Sequence, residues 1–300
     1  MNVFEIIVEN KEWLFSGVGV VVVTAFYTHF FNNKQIESGQ KKDQVIEIEA
    51  PVIEQTEPET EVSQISQRLA LVLELMNEKR EYSKFTIAQL AQIMKLHKVS
   101  ELEDIFRGKE EPTFEFIERF CDVFGVNKTW VIEGKRAPFS NDEQAFGEPL
   151  WYLEVIENLN PQRVFFVRKN SKEAPAFIMV KLNDYKFKIF HRTWHISDEV
   201  GAGGQRQLVS FYELVKALRD EKGYYSKCGG LTLDEDDFKE LFRGDKYPGV
   251  YTELGRSEDP WWDDLTDINH SYPISANYGD WHGKSFLKAQ EIIKWKLQDN

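Results

Sequence analysis

Two histidines four residues apart, His191 and His195, have the spacing in this sequence that is nearest to a metal-ligand pattern. On an extended strand, residues at this spacing point to the same face of a sheet. That face also carries three large aromatic or apolar residues, namely Tyr185, Phe187 and Ile189. We therefore interpret the two histidines as facing a core or its margin, and we predict no metal site.

A glycine-rich run, Gly201-Ala-Gly-Gly204, precedes a helix that is predicted to begin at Gln207. Free backbone N–H groups at a helix start can hold an anion, and Arg206 would add a positive charge. The run matches neither the dinucleotide-binding nor the P-loop pattern of glycines. Two interpretations remain open: a bare loop, or a site for a phosphate-bearing ligand formed by Gly203, Gly204 and Arg206.

Aromatic and acidic residues are mixed in two loop-like stretches, Asp259-Pro-Trp-Trp-Asp-Asp264 and Asp280-Trp-His282. Tryptophan faces offer stacking surfaces and carboxylates accept hydrogen bonds, so Trp261, Trp262 and Asp263 are candidate ligand-binding residues. The alternative interpretation is that these stretches seal the edge of a sheet.

No residues have the spacing of a nucleophile and its base, and Cys228-Gly-Gly alone does not identify a nucleophile. The two cysteines, Cys121 and Cys228, lack a Cys-x-x-Cys spacing, which argues against a disulfide framework or a zinc site. We predict no enzyme activity, no catalytic residue and no cofactor. An enzyme in the C-terminal part remains the alternative.

The elements that would position such residues begin with a helical segment. Gly108, Gly125 and Gly134 can end helices, and Thr113 and Asn127 can cap the helices that follow. We predict four or five short helices that share one core. Apolar residues recur at helical spacing in four stretches: Leu69/Val72/Leu73/Met76, Ile87/Leu90/Ala91/Met94, Val99/Leu102/Ile105/Phe106 and Phe114/Ile117/Cys121/Phe124.

Short motifs recur through this segment: Leu90-Ala91, then Arg107-Gly108-Lys109 with Pro112, and then Phe124-Gly125-Val126-Asn127 leading to Trp130. Together they resemble the phage-repressor type of helix-turn-helix domain, the XRE family. The resemblance covers roughly a quarter of the chain and implies an all-α domain whose third helix enters the major groove of DNA.

The surface that would meet DNA is the predicted third helix, residues 98–106. Ser100 and Glu103 match a capping box, and the acidic residues near them suit the positive end of a helix dipole but not DNA phosphates. Basic residues before and after the helix can gather on one side. The predicted DNA- or partner-contacting residues are Lys98, Ser100, Glu101, Asp104, Arg107 and Lys109.

The charge of the chain is compatible with either DNA or protein as the partner of the helical segment. Residues 68–138 carry twelve basic and twelve acidic residues, although a DNA-binding domain usually has a basic face. The formal net charge of the whole chain, −13, argues against bulk nonspecific binding to nucleic acid.

The N-terminus contains nineteen residues, 13–31, without Asp, Glu, Lys or Arg. At 1.5 Å per residue, a helix of this length reaches about 28 Å, close to the thickness of the hydrocarbon core of a bilayer. Lysines are more frequent after this stretch than before it, which places the N-terminus outside and the rest of the chain in the cytoplasm. We predict a single-pass anchor of the inner membrane within residues 1–33, rather than a cleaved signal peptide or a buried core helix.

The remaining chain divides into three stretches. Residues 34–62 are acidic, which predicts a disordered linker, and residues 63–139 hold the helix-turn-helix domain. In residues 148–300, strand patterns at 163–168, 176–182 and 185–190 precede helical patterns at 207–222, 236–243 and 285–297. The predicted fold class is multi-domain: one transmembrane helix, an all-α helix-turn-helix domain and an α+β domain.

These predictions support two hypotheses about function. The first is a bacterial membrane-anchored regulator whose helix-turn-helix domain binds DNA and whose C-terminal domain senses a ligand or partner. The second is a membrane-tethered interaction protein or antiviral defence effector whose helix-turn-helix domain binds protein. In either case we expect a homo-oligomer.

Overall fold

A computed structural model of the chain describes residues 60–140, 145–252 and 258–299. The predicted membrane anchor, residues 13–31, lies outside these residues, as does nearly all of the predicted linker. Of the helices in the described ranges, none combines the length and the apolar composition needed to cross a membrane.

The helical segment consists of α1 (Glu61–Asn77), α2 (Ile87–Ile93), α3 (Val99–Phe106), α4 (Phe114–Phe124) and α5 (Lys128–Glu133). Thr86, Thr113 and Asn127 each accept a hydrogen bond from a backbone N–H three residues later, so they fix the starts of α2, α4 and α5. Gly125 and Gly134 take left-handed conformations and end α4 and α5. The predicted caps Thr113 and Asn127 are confirmed.

The predicted capping box at the third helix is wrong. Helix α3 begins at Val99, and its N-cap is Lys98, which makes no side-chain capping bond. Ser100 is therefore the second residue of the helix and lies inside its first turn.

Four strands form a mixed sheet in the order β3-β2-β1-β4. Strands β1 (Arg163–Lys169), β2 (Pro175–Lys181) and β3 (Phe187–His195) are antiparallel neighbours. The first two agree with the predicted strands to within one residue at each end, whereas β3 begins two residues and ends five residues later than predicted. Strand β4 (Cys228–Leu233) was not predicted and pairs with β1 in parallel.

Helices surround the sheet and complete an α+β arrangement. Helix α7 continues without a break into a π-helical turn, Ala217–Glu221. Helix α12 begins at Lys284, next to the predicted cap Ser285. The helices are α6 (Tyr152–Leu159), α7 (Ala202–Lys216), α8 (Glu235–Arg243), α9 (Gly249–Thr252), α10 (Trp261–Asp264), α11 (Tyr278–His282) and α12 (Lys284–Gln298).

The two faces of the sheet belong to different cores. Strand β1 alternates, so Phe165 and Val167 face one core while Phe166 faces the other. The first core also contains α8 and the apolar side of the whole helical segment, from Leu69 to Phe139. The second core contains residues of α6, α7 and the C-terminal helices.

The predicted fold class is wrong in two respects. The described helices include no membrane span, and the helical segment does not stand apart from the sheet, because residues Glu57–Asn300 form one compact unit. Phe124 of α4 packs on Tyr185 with ring centroids 5.7 Å apart, and the N–H of Phe139 donates to the carbonyl of Gly244. The apolar sides of both parts are buried against each other.

Candidate functional site

Helix α3 presents one side to the helical core and the other to solvent. Leu102 and Ile105 are buried, and the ring of Phe106 meets Phe120 with centroids 6.2 Å apart. Val99 and Ser100, in the first turn, are exposed. The helical core therefore holds one side of α3 in place, and the first turn of the helix is accessible to solvent on the other side.

The carboxylates of α3 are less exposed than the sequence suggests. Glu101, Glu103 and Asp104 are half-buried, whereas the lysine that precedes the helix, Lys98, is exposed. The outermost charges at the start of α3 are therefore basic.

Exposed cations lie on both sides of α3 along the chain. In the described part of the chain, none of them has a carboxylate within ion-pair distance, whereas Lys128 and Lys135 of the same segment pair with Glu118 and Glu133. Such unpaired cations remain available to an anionic partner. Glu110 and Glu111, just beyond them, are exposed as well. The unpaired cations are Lys84, Lys95, Lys98, Arg107 and Lys109.

The predicted glycine loop is part of a helix. Helix α7 begins at Ala202, so Gly203 and Gly204 lie in its first turn, where the backbone of Gly204 packs against the side chain of Val200. Arg206 pairs with Glu148 at 2.9 Å, which neutralises the charge that an anionic ligand would need. The helix start predicted near Gln207 is therefore wrong by about one turn.

The two tryptophans of the predicted ligand-binding stretch belong to the second core, and Trp262 also lines a small cleft. Trp261 and Trp262 are buried, and their rings pack on Phe211 and Phe166 with centroids 6.0 and 5.6 Å apart. The N–H of Asp259 donates to the carbonyl of Gly230, so the preceding loop lies directly against β4. This arrangement matches the alternative interpretation, in which the stretch seals the edge of the sheet.

Asp263 is held by two neighbours at the wall of a small cleft of about 260 Å³. Its carboxylate accepts hydrogen bonds from Arg219 at 2.9 Å and from the hydroxyl of Tyr225 at 3.3 Å. The first bond joins α10 to the π-helical turn, and the second joins it to the short 3₁₀ helix Tyr225–Lys227.

The histidines and cysteines have ordinary structural environments. His191 is packed 5.5 Å from the ring of Phe242, and burial lowers the pKa of its imidazole. Cys121 and Cys228 are buried and unpaired, and burial raises the pKa of each thiol to about 12. Neither cysteine is a thiolate nucleophile at neutral pH. Within the described ranges, no three His, Cys, Asp or Glu residues are placed to share a metal ion.

A buried polar cluster near the end of the chain was missed. His282 Nε2 bonds to the carboxylate of Asp264 at 2.8 Å, and the side chain of Gln290 donates to the Asp264 carbonyl at 2.8 Å. Tyr278 donates its hydroxyl to Asp267 at 3.2 Å. The sequence analysis singled out Asp280-Trp-His282 as a loop-like stretch of aromatic and acidic residues but did not predict the hydrogen bond from His282 to Asp264.

No protein-family model matches the chain, and comparison with curated proteins and with solved structures finds no match either.

Proposed function

We propose that the protein is a DNA-binding regulator whose helical segment contacts duplex DNA through the exposed side of α3. The observation that carries the proposal is the set of exposed, unpaired cations before and after this helix. Lys95 and Lys98 precede it, and Arg107 and Lys109 follow it. Cations at both ends of an exposed helix suit phosphates on either side of a groove.

The exposed first turn of α3 has side chains that can contact base edges. The Ser100 hydroxyl can donate or accept, and the methyl groups of Val99 can meet a thymine methyl. Glu101 and Asp104, being half-buried, approach DNA less closely than Lys98. A carboxylate that does reach a base edge accepts from cytosine N4.

Protein binding is the second candidate function. Two aromatic side chains of the same segment are open to solvent, Tyr82 at 83% and Phe114 at 74%. Exposed aromatic residues are enriched in protein interfaces. Phe114 lies at the start of α4 and Tyr82 in the loop after α1, so neither ring belongs to α3.

A salt titration of the full-length chain with labelled duplex DNA tests the proposal. Each lost phosphate contact makes the negative slope of log K against log salt shallower by about 0.9. We expect Lys95→Gln/Lys98→Gln and Arg107→Gln/Lys109→Gln each to make this slope shallower by about 1–2. The matched control is Lys128→Gln/Lys135→Gln, whose lysines already have carboxylate partners and whose slope should stay unchanged.

Two results would overturn the proposal. One is no DNA binding by the wild type at salt as low as about 50 mM, where electrostatic attraction is strongest. The other is an equal change of the salt slope in the control variant, because binding would then depend on the overall charge of the segment and not on the cations around α3. A partner protein released by Phe114→Ser, with no DNA binding, would favour the second candidate.

A further inference from the structure

Residues 147–150, just before α6, are tied to one side of α7 by three hydrogen bonds. Gln207 donates to the carbonyl of Gly147 at 3.1 Å, Arg206 donates to the carboxylate of Glu148 at 2.9 Å, and Ser210 accepts from the N–H of Leu150 at 3.0 Å. Helix α7 therefore fixes the position of the next residue, Trp151.

The indole ring of Trp151 is nevertheless open to solvent. The residue is 60% exposed, and the ring of Phe146 meets it in a T-shaped arrangement with centroids 6.3 Å apart. An aromatic ring that is held in place and left uncovered offers a stacking surface to a second ring.

Trp151 forms part of the wall of a cleft of about 860 Å³. The cleft follows one face of α7, whose contributing residues recur at helical spacing from Ala202 to Glu213. Leu150 and Val209 add apolar surface to it. Sites for small molecules are typically clefts of about 300–1,000 Å³ that combine apolar walls with a few polar groups.

Two side chains of opposite charge line this cleft without a counter-ion. Glu213 is exposed on α7, and Lys296, near the end of α12, has its ammonium group 4.5 Å from the ring centroid of Trp295. In the described part of the chain, no oppositely charged side chain lies within ion-pair distance of either one. Arg206 and Glu148 of the same wall pair with each other at 2.9 Å. The cleft thus leaves one carboxylate and one ammonium group for a ligand.

We propose that this cleft binds a small aromatic zwitterion, of the chemical class of the aromatic amino acids. The ring of the ligand stacks on the indole of Trp151, its carboxylate pairs with Lys296, and its ammonium group pairs with Glu213. Stacking supplies contact area, and the two ion pairs select molecules that carry both charges. The proposal does not depend on DNA binding by α3.

Fluorine NMR of the full-length chain labelled with fluorotryptophan tests the proposal, with the Trp151 signal assigned from Trp151→Phe. The probes are tryptophan, indole-3-propionate without the amine, tryptamine without the carboxylate, and alanine without the ring. Because a ligand of this size can reach a Kd of about 1 mM, each titration extends to about 10 mM at constant ionic strength.

We expect a saturable shift of the Trp151 signal with tryptophan, weaker binding of indole-3-propionate and tryptamine, and no saturable shift with alanine. The signal of Trp281, assigned in the same way, is an internal control. Trp281 is 53% exposed but lies outside the cleft, so its signal should stay in place.

Two variants assign the two charges. Lys296→Met should raise the Kd of tryptophan and of indole-3-propionate about two- to fivefold, the range for a partly exposed ion pair, and should not raise that of tryptamine. Glu213→Gln should raise the Kd of tryptophan and of tryptamine by a similar factor and should not raise that of indole-3-propionate. The matched controls, Lys294→Met and Glu291→Gln, change exposed residues of α12 outside the cleft and should bind every probe like the wild type.

The proposal is overturned if tryptophan gives no saturable shift of the Trp151 signal, or if alanine shifts it as much. It is also overturned if either charge variant, Lys296→Met or Glu213→Gln, binds tryptophan as tightly as the wild type. Both variants change side chains that are exposed or half-buried, so we expect them to fold.

Discussion

Replacing Phe124 with Ala tests whether the helical segment and the sheet fold as one unit. Phe124 is 1% exposed, and its ring lies 4.9 Å from Phe120 and 5.7 Å from Tyr185, so it joins α4 to the residues that precede β3. Removing a buried phenyl ring costs about 3–5 kcal/mol, because the transfer and cavity terms add. For a unit of this size, that corresponds to a Tm lower by roughly 6–20 °C.

The assay is urea unfolding of the full-length chain labelled with fluorotryptophan, followed by ¹⁹F NMR. Trp130 reports on the helical segment and Trp194 on the second core. We expect both signals to change at one midpoint, and that midpoint to fall by the same amount in Phe124→Ala. The matched control is Phe114→Ala on the same helix, which removes an exposed ring and should change the free energy of unfolding by less than about 0.5 kcal/mol.

A result in which the Trp130 midpoint falls while the Trp194 midpoint stays at the wild-type value would refute the shared core. If Phe124→Ala lowers the free energy of unfolding by less than about 1 kcal/mol, the Phe124 site is loosely packed.

Three further predictions concern single residues. Gly244 has φ 83° and packs against the backbone of Phe139, so Gly244→Ala should lower the free energy of unfolding in urea by at least about 1–3 kcal/mol. Gly201→Ala should lower it much less, because a Cβ atom at Gly201 has no neighbour within 4 Å. Asn127 caps α5 and donates to the Ser140 carbonyl, so Asn127→Ala should cost about 1–2 kcal/mol in the same assay, and a cost near zero would contradict this role. Burial raises the pKa of Cys121 and Cys228 to about 12, so the neutral thiol persists well above pH 9. Alkylation of the native chain at pH 8 should be at least about a hundredfold slower than in urea, and equal rates would show that the thiols are accessible.

Local chemistry explains what the sequence predicted well. The helix boundaries at Thr113, Gly125 and Gly134 depend on capping groups within a few residues, and the continuous apolar runs of β1 and β2 are equally local. The capping box predicted at Ser100 was wrong because the helix begins one residue earlier, at Val99, so Ser100 already lies inside its first turn.

Long-range contacts explain what could not be predicted. Strand β4 begins Cys-Gly-Gly, a weak strand pattern, and its glycines serve the close approach of the loop at Asp259. Periodicity showed that α4 has an apolar side but not that the sheet would cover it. Arg168, followed by Lys169, looks like a solvent-exposed strand end, and its burial depends on Trp261 and Phe286, about a hundred residues away.

The measurement that tests the proposed function most directly is amide chemical-shift mapping of the full-length chain with duplex DNA at about 50 mM salt. We predict that the largest amide chemical-shift changes fall in residues 95–109, at both ends of α3, and that they diminish as salt is raised toward about 200 mM. The absence of shifts in this range, or shifts confined to other surfaces such as that around Phe114, would contradict binding of DNA by α3.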